Sequence, residues 1–174
     1  MAKYVKHKNS GFTLIEVMIV VAIFGVLLAL AAPPLTDFLE DAQARQNTNE
    51  FMSSLLLARS EAVTRNQTVS ICTADGTAPT VCNTSKDWHD GWISFEDLDA
   101  DGVRDVGEEL IGQHSGLDDT SVVTTVNFDD FVTYLPSGGV SSAGTFSLCV
   151  GDASARQITV NATGRPRLTE GSCS

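Results

Sequence analysis

The chain has 174 residues, 43% of them hydrophobic, and carries 11 Lys and Arg against 22 Asp and Glu, a formal net charge of −11. That length accommodates one domain of modest size with an appended stalk. The acidic balance argues against general nucleic-acid binding and for a soluble head that repels its neighbours. The charge is uneven: residues 75–130 hold 14 acids against Lys86 and Arg104, whereas residues 131–174 hold two acids against Arg156, Arg165 and Arg167.

The first predicted element is apolar. From Phe12 to Ala32 there are 21 residues, and Glu16 is the one ionisable side chain among them. About 20 apolar residues in a helix span the hydrocarbon core of a bilayer. Lys3, Lys6 and Lys8 precede this stretch and no base follows until Arg45, so the positive-inside bias keeps the N-terminus cytoplasmic. A carboxylate within an apolar span is costly, on the order of 2.5–3.5 kcal/mol at its centre and less near an end. Such residues usually have a function. A secretory signal cut after Ala31 and a plain single-pass anchor are the competing readings, and Glu16 inside the apolar core argues against the first.

The Lys-rich leader, Gly11-Phe12-Thr13-Leu14-Ile15-Glu16 and the apolar helix behind them resemble the type IV pilin class III signal. The resemblance implies cleavage between Gly11 and Phe12 by a prepilin peptidase and N-methylation of Phe12. It implies that Glu16 attracts the free amine of a neighbouring subunit during filament assembly. It also implies a bend or local melting at Pro33, beside which Pro34 removes a second N–H donor. Loss of the leader with its three lysines takes the net charge from −11 to −14.

Beyond the prolines, Leu35, Phe38, Leu39 and Ala42 recur at helical spacing. Phe51, Leu55, Ala58 and Ala62 do the same, with Met52, Leu56 and Val63 widening the face. An amphipathic helix is therefore expected to continue to Arg65 and to stop at Asn66-Gln67. Short β-branched runs follow at 68–73, 91–95, 109–113, 121–128, 131–135, 145–150 and 157–161, with an edge strand at 165–168. Trp88, Trp92, Phe95, Phe128, Phe131, Tyr134 and Phe146 lie on or beside these strands and read as core. The expected fold is α+β, with a long N-terminal helix, membrane-spanning in its first half and amphipathic in its second, packed on an antiparallel β-sheet head. The expected segments are a leader at 1–11, an assembly helix at 12–34, a packing helix at 35–67 and a head at 68–174.

Four cysteines in an exported chain read as two disulfides. Three pairings are allowed. Proximity favours Cys72–Cys82 and Cys149–Cys173, the second stapling the C-terminal end to the strand around Leu148. Zinc is disfavoured because no Cys-x-x-Cys occurs and the compartment is oxidising.

Two stretches carry candidate binding chemistry. Asp97, Asp99, Asp101, Gly102 and Glu108 match the calcium-loop template, in which Asp97, Asp99 and Asp101 offer carboxylates, Val103 a carbonyl, Asp105 a direct or bridged contact and Glu108 a bidentate carboxylate. Arg104 departs from the template, and the strand-like flanks exclude a true EF-hand. No cofactor is required, and calcium is the candidate. The second stretch is Gly164-Arg165-Pro166-Arg167. Two arginines one residue apart on an extended segment share a side, and with Arg156 they offer two or three phosphate contacts, enough for weak, salt-sensitive DNA binding. No nucleophile elbow, phosphate loop or zinc-binding helix motif is present, and catalysis is not expected.

Ala58-Arg59-Ser60-Glu61-Ala62, Gly91-Trp92-Ile93-Ser94-Phe95, Leu135-Pro136-Ser137-Gly138-Gly139 and Thr163-Gly164-Arg165-Pro166-Arg167 extend the resemblance over nearly the whole chain, to the FimT/FimU/GspH minor pilins and pseudopilins. This implies a structural subunit of type IV pilus biogenesis in the initiation or tip complex. The alternatives are a minor pseudopilin of type II secretion and a DNA-binding minor pilin for uptake in natural transformation. The implied partners are other pilins or pseudopilins through the N-terminal helix, prepilin peptidase and inner-membrane lipid. The implied location is a single-pass inner-membrane protein with a periplasmic head, and after assembly a pilus or pseudopilus.

Overall fold

The computed structural model describes residues 12–118, 120–128, 130–151, 154–171 and 173, with side chains for all of these except 29–35 and 154. The predicted leader, Gly11 included, lies outside the described residues. One helix, α1 (Leu14–Arg65), precedes eight strands: β1 (Val69–Thr73), β2 (Gly91–Glu96), β3 (Leu110–Ser115), β4 (Ser121–Val126), β5 (Phe131–Tyr134), β6 (Gly144–Val150), β7 (Ser154–Val160) and β8 (Pro166–Gly171). This is the expected α+β order. The chain divides between Phe38 and Leu39 into two units.

In the first unit α1 starts directly after Thr13, whose Oγ1 accepts the Glu16 N–H at 3.3 Å. Thr13 therefore caps one of the orphan N–H groups of a helix start, and Glu16 stands at the position where a carboxylate complements the helix dipole. The large apolar side chains from Phe12 to Leu28 are all exposed. Among the described residues no helix is long and apolar enough to cross a membrane; the span predicted from the sequence includes 29–34, whose side chains lie outside the description. The run of α1 includes Pro33 and Pro34, where the resemblance implied bending or melting.

In the second unit a single stripe of α1 is buried: Ala44, Asn47, Thr48, Phe51, Leu55, Ala58 and Ala62. The face is narrower than its predicted width, because Leu39, Leu56 and Val63 are about half exposed. Two polar residues take places in the stripe, and both are satisfied. Asn47 Nδ2 donates to Ser121 Oγ at 2.8 Å and Thr48 Oγ1 to Ala44 O at 2.5 Å. Asn66, at φ 54°, turns the chain out of the helix, the αL residue that often follows a helix end.

The strands form two four-stranded antiparallel sheets, one ordered β3-β2-β1-β5 and the other β4-β6-β7-β8. One core lies between α1 and the inner faces of both, uniting Phe51 and Leu55 with Ile71, Trp92, Tyr134, Phe146, Leu148 and Ile158. The first sheet is covered on its outer face as well. Cys72, Ala74, Ile93 and Phe95 form a second small cluster there with Cys82 and Leu110, and all five residues of β1 are buried.

Among the described residues, the second sheet has an apolar cluster on one face only. Gly144, Phe146, Leu148 and Val150 of β6 are buried, and the residues between them are half-buried. Register aligns the outward residues in rows across the strands. Val126, Thr145, Thr159 and Arg167 form one row, and Thr124, Ser147, Gln157 and Thr169 the next. Cys149 shares this outer parity, so its disulfide to Cys173 closes one end of the outer face.

Candidate functional site

The loop from Asp97 to Glu109 is built around two carboxylates. Asp97 is fully buried. Its Oδ1 accepts the Asp101 N–H at 3.2 Å, and its Oδ2 accepts the Gly102 N–H at 3.1 Å and the Ser70 hydroxyl at 2.5 Å. Glu108 closes the loop from the other end, accepting Leu98 N–H on Oε1 and Asp105 N–H on Oε2, each at 2.8 Å. Gly102 has φ 78°, and a Cβ on it would sit 2.4 Å from the Phe131 ring. The template's glycine thus serves both turn geometry and close packing. Arg104, the residue that breaks the template, donates to Thr80 O and Glu108 O, each at 2.8 Å. It fastens the acidic loop to the loop stapled by Cys72–Cys82.

Carboxylate oxygens of Asp97, Asp99 and Glu108 come within 4.8 Å of one another, and so do those of Asp99, Asp101 and Asp105. Asp99 belongs to both groups. Asp97, Asp99 and Glu108 are the residues that would hold a hard cation: Asp97 Oδ1 and both Glu108 oxygens accept one hydrogen bond each, and such oxygens retain a lone pair for it. Burial, above all, pushes the Asp97 carboxyl above its usual range, with the charge of Glu108 adding to the effect against the hydrogen bonds from Ser70 and the loop amides. Asp97→Asn would turn one accepting oxygen into an amide that faces N–H or O–H donors. The expected cost is about 1–3 kcal/mol, read as a lowered urea midpoint of the full chain in detergent. An unchanged midpoint would show that the loop does not depend on this carboxylate.

A second cluster joins three stretches that are far apart in sequence. Arg59 of α1 donates from Nε to Gly138 O at 2.8 Å and from Nη2 to Thr163 O at 3.4 Å. The loops 135–139 and 161–165 meet beneath it. Asn161 Oδ1 organises the second loop by accepting Thr163 N–H at 3.1 Å, Thr163 O–H at 2.6 Å and Arg165 N–H at 3.3 Å. Two shallow grooves flank Arg59 and share it with Ser137; the second is also lined by Arg165.

The three candidate arginines do not converge. Arg165 is exposed on this groove, and Arg167 is exposed on the outer face of β8, opposite Thr159. Arg156 lies on the inner face of β7, where its Nη2 reaches Asp41 at 2.8 Å. Arg156, with Arg45, holds the Asp41 carboxyl below its ordinary range. The expected grouping of Arg156 with Arg165 and Arg167 is therefore corrected: strand parity sends it to the opposite face. Arg165 and Arg167 have no ion pair among the described residues.

The cysteines pair as Cys72–Cys82 and Cys149–Cys173, leaving none free, so no thiolate is available for zinc. Two contributors escaped the sequence reading. Thr13 was legible as the first residue of a Thr-x-x-Glu capping box. Arg59 was not, because its partners lie about 80 and 100 residues further along the chain.

A capped apolar helix start bearing Glu16 in its first turn, followed by a two-sheet β head, is a pilin-like arrangement. Residues 47–164 match the family described as Type II transport protein GspH, and residues 6–32 match the prokaryotic N-terminal methylation motif. The chain belongs to the GspH family. The type IV major fimbrial protein FimA of Dichelobacter nodosus is 48% identical over 44 residues, 25% of this chain and 28% of that protein. The type IV major pilin PilA of Myxococcus xanthus is 50% identical over 48 residues, 28% of this chain and 20% of that protein. Much of these relatives' length is thus not spanned. In fold, the chain is similar to the type IV minor pilin FimU of Pseudomonas aeruginosa, with TM-score 0.59 and 21% identity over 79% of this chain and 99% of that one. It is likewise similar to the minor pseudopilin EpsH of the Vibrio cholerae type II secretion system, with TM-score 0.53 and 16% identity over 78% and 99% of the two chains.

Proposed function

We propose that this chain is a minor pilin that enters a type IV pilus at its initiation or tip complex after cleavage between Gly11 and Phe12. The observation that carries this reading is the start of α1. Every large apolar side chain from Phe12 to Leu28 is exposed, with Glu16 set among them. Such a surface is stable when lipid or the helices of other subunits cover it. Before assembly the inner membrane would serve, with the head on the periplasmic side. After cleavage the new amine of Phe12 is the cation that a carboxylate in an apolar bundle requires. The role is structural and needs no catalysis.

The test is intact mass and N-terminal sequencing of the protein from its native membrane. The expected result is a chain that starts at a methylated Phe12. A chain starting at Ala32 or retaining the leader would overturn the reading. Glu16→Val is expected to leave cleavage intact and to lower recovery of the protein in sheared filaments at least tenfold.

A pseudopilus of type II secretion is the alternative, and deletion of the gene separates the two. Loss of piliation with normal secretion favours the pilus, and the reverse favours the pseudopilus. Arg165 and Arg167, exposed and without an ion pair among the described residues, favour a further activity, weak DNA binding. The double change Arg165→Ala/Arg167→Ala is expected to abolish salt-sensitive retention of duplex DNA; retention that is indifferent to it would sink that activity.

Calcium is proposed for the acidic loop on the shared position of Asp99. Calcium binding by the full chain in detergent, measured by titration calorimetry and lost in Asp99→Ala, is the expected signature, and an equal heat of binding in that variant would overturn it.

A further inference from the structure

The outer faces of the two sheets are treated differently by the chain itself. On the β3-β2-β1-β5 sheet, the outer face is roofed by the disulfide-tied loop and the acidic loop, and a second apolar cluster forms beneath them. On the β4-β6-β7-β8 sheet, the two outward rows run from half-buried to exposed with no apolar cluster over them among the described residues, and Val122 and Val126 of β4 are 47% and 62% exposed at one edge.

This face also lacks the charge found elsewhere on the head. Its rows are threonine, serine, glutamine and valine, and among the described residues Arg167 is their one ionisable side chain. Glu170 has the opposite parity, in register with the inward Arg156. A chain with net charge −11 approaches another acidic protein most easily through a neutral surface, since carboxylates elsewhere repel. Arg167 at one side then selects a carboxylate on that partner.

We propose that this face docks the head of a neighbouring pilin-type subunit of the same filament, one that presents a neutral surface and a carboxylate to Arg167. The inference rests on the filament reading above. Size identifies the occupant. Four strands about 4.8 Å apart and two rows of side chains offer on the order of 300 Å², well below the roughly 800 Å² per partner of a stable interface. Such a face binds little in free solution. It is occupied when the partner is held beside it, and co-assembled N-terminal helices supply an effective concentration in the millimolar range.

The experiment places a photo-crosslinking amino acid at Thr124 or Thr159 in cells that assemble filaments, with Gln113 of the other sheet as control. The expected result is an adduct from Thr124 and Thr159 with a second pilin-type protein, identified by mass. The yield from Gln113 should be at least tenfold lower. Thr145→Asp is expected to cut the adduct from Thr159 about tenfold without shifting the melting temperature, because residue 145 already lies partly in solvent. Arg167→Ala should weaken it with the same unchanged fold. Equal yields from Thr159 and Gln113 in a processed, filament-incorporated chain would overturn the docking face alone. Adducts with lipid, or with a second copy of this chain, would overturn the proposed occupant. A chain that keeps its leader would overturn the filament reading, and this inference with it.

Discussion

Phe51→Ala is expected to destabilise the head by about 3–5 kcal/mol, the range for a fully buried phenylalanine lost from a core. The ring is completely inaccessible to solvent. It meets Trp92 edge-on at 4.9 Å, Phe146 at 4.7 Å and Trp88 at 5.5 Å. Trp92 belongs to β2 and Phe146 to β6, so one side chain of α1 joins both sheets. Each edge-on pair contributes about 0.5–1.5 kcal/mol beyond its area burial, which places the loss toward the upper end of the range. Whole domains are stable by only about 5–15 kcal/mol. The variant should therefore show an early urea transition and a weakened near-ultraviolet signal from Trp88 and Trp92. Phe51→Leu, which keeps most of the apolar volume, should recover a large part of the loss. If the alanine variant unfolds with the wild-type midpoint, the two sheets do not depend on α1 as the packing indicates.

Gly164→Ala is the second large effect, and it tests the junction beneath Arg59. Gly164 has φ 73°, and a Cβ there would lie 2.0 Å from Gly138 O, a backbone atom that no rotamer change can move. Left-handed backbone costs alanine about 1–2 kcal/mol, and forcing atoms into a filled space adds typically about 1–3 kcal/mol. Gly76 supplies the control. It too has positive φ, 99°, but an added Cβ meets nothing within 4 Å. Gly76→Ala should show the backbone cost alone, about 1–2 kcal/mol. Equal losses in the two variants would mean that the loops 135–139 and 161–165 separate readily and that Arg59 does not pin them.

Much of this architecture was readable before the fold was known, for local reasons. The strand runs were marked by β-branched residues between Gly, Asp and Pro punctuation, and all eight strands stand within a few residues of their predicted places. The end of α1 at Asn66-Gln67 was likewise a local signal. What the sequence concealed was set by partners far along the chain. The division of the strands into two sheets depends on β1 choosing β5, across about 60 residues, while β4 turns away to β6. Asn47 and Thr48 were not assigned to the buried face, yet one bonds Ser121 and the other its own helix. Phe131 was read as core but is 39% exposed, because its ring fills the space that Gly102 leaves empty. Arg156 joined the candidate arginines on sequence proximity, and register with Leu148 and Glu170 removes it. Carboxylates singled out in the acidic loop do lie close together. That Asp97 and Glu108 grip the loop's own amides was invisible, since spacing does not say which way a side chain turns.

The last strand is fastened at both ends. Just before β8, Asn161 holds the amide of Arg165, and beyond it Cys173 is bonded to Cys149, two strands away. An edge strand secured only by hydrogen bonds to β7 could peel off and trade places with the same strand of a neighbour, the route to domain swapping. Here peeling requires a covalent bond to break. Heads brought close together thus keep their own strands, and each remains an interchangeable part.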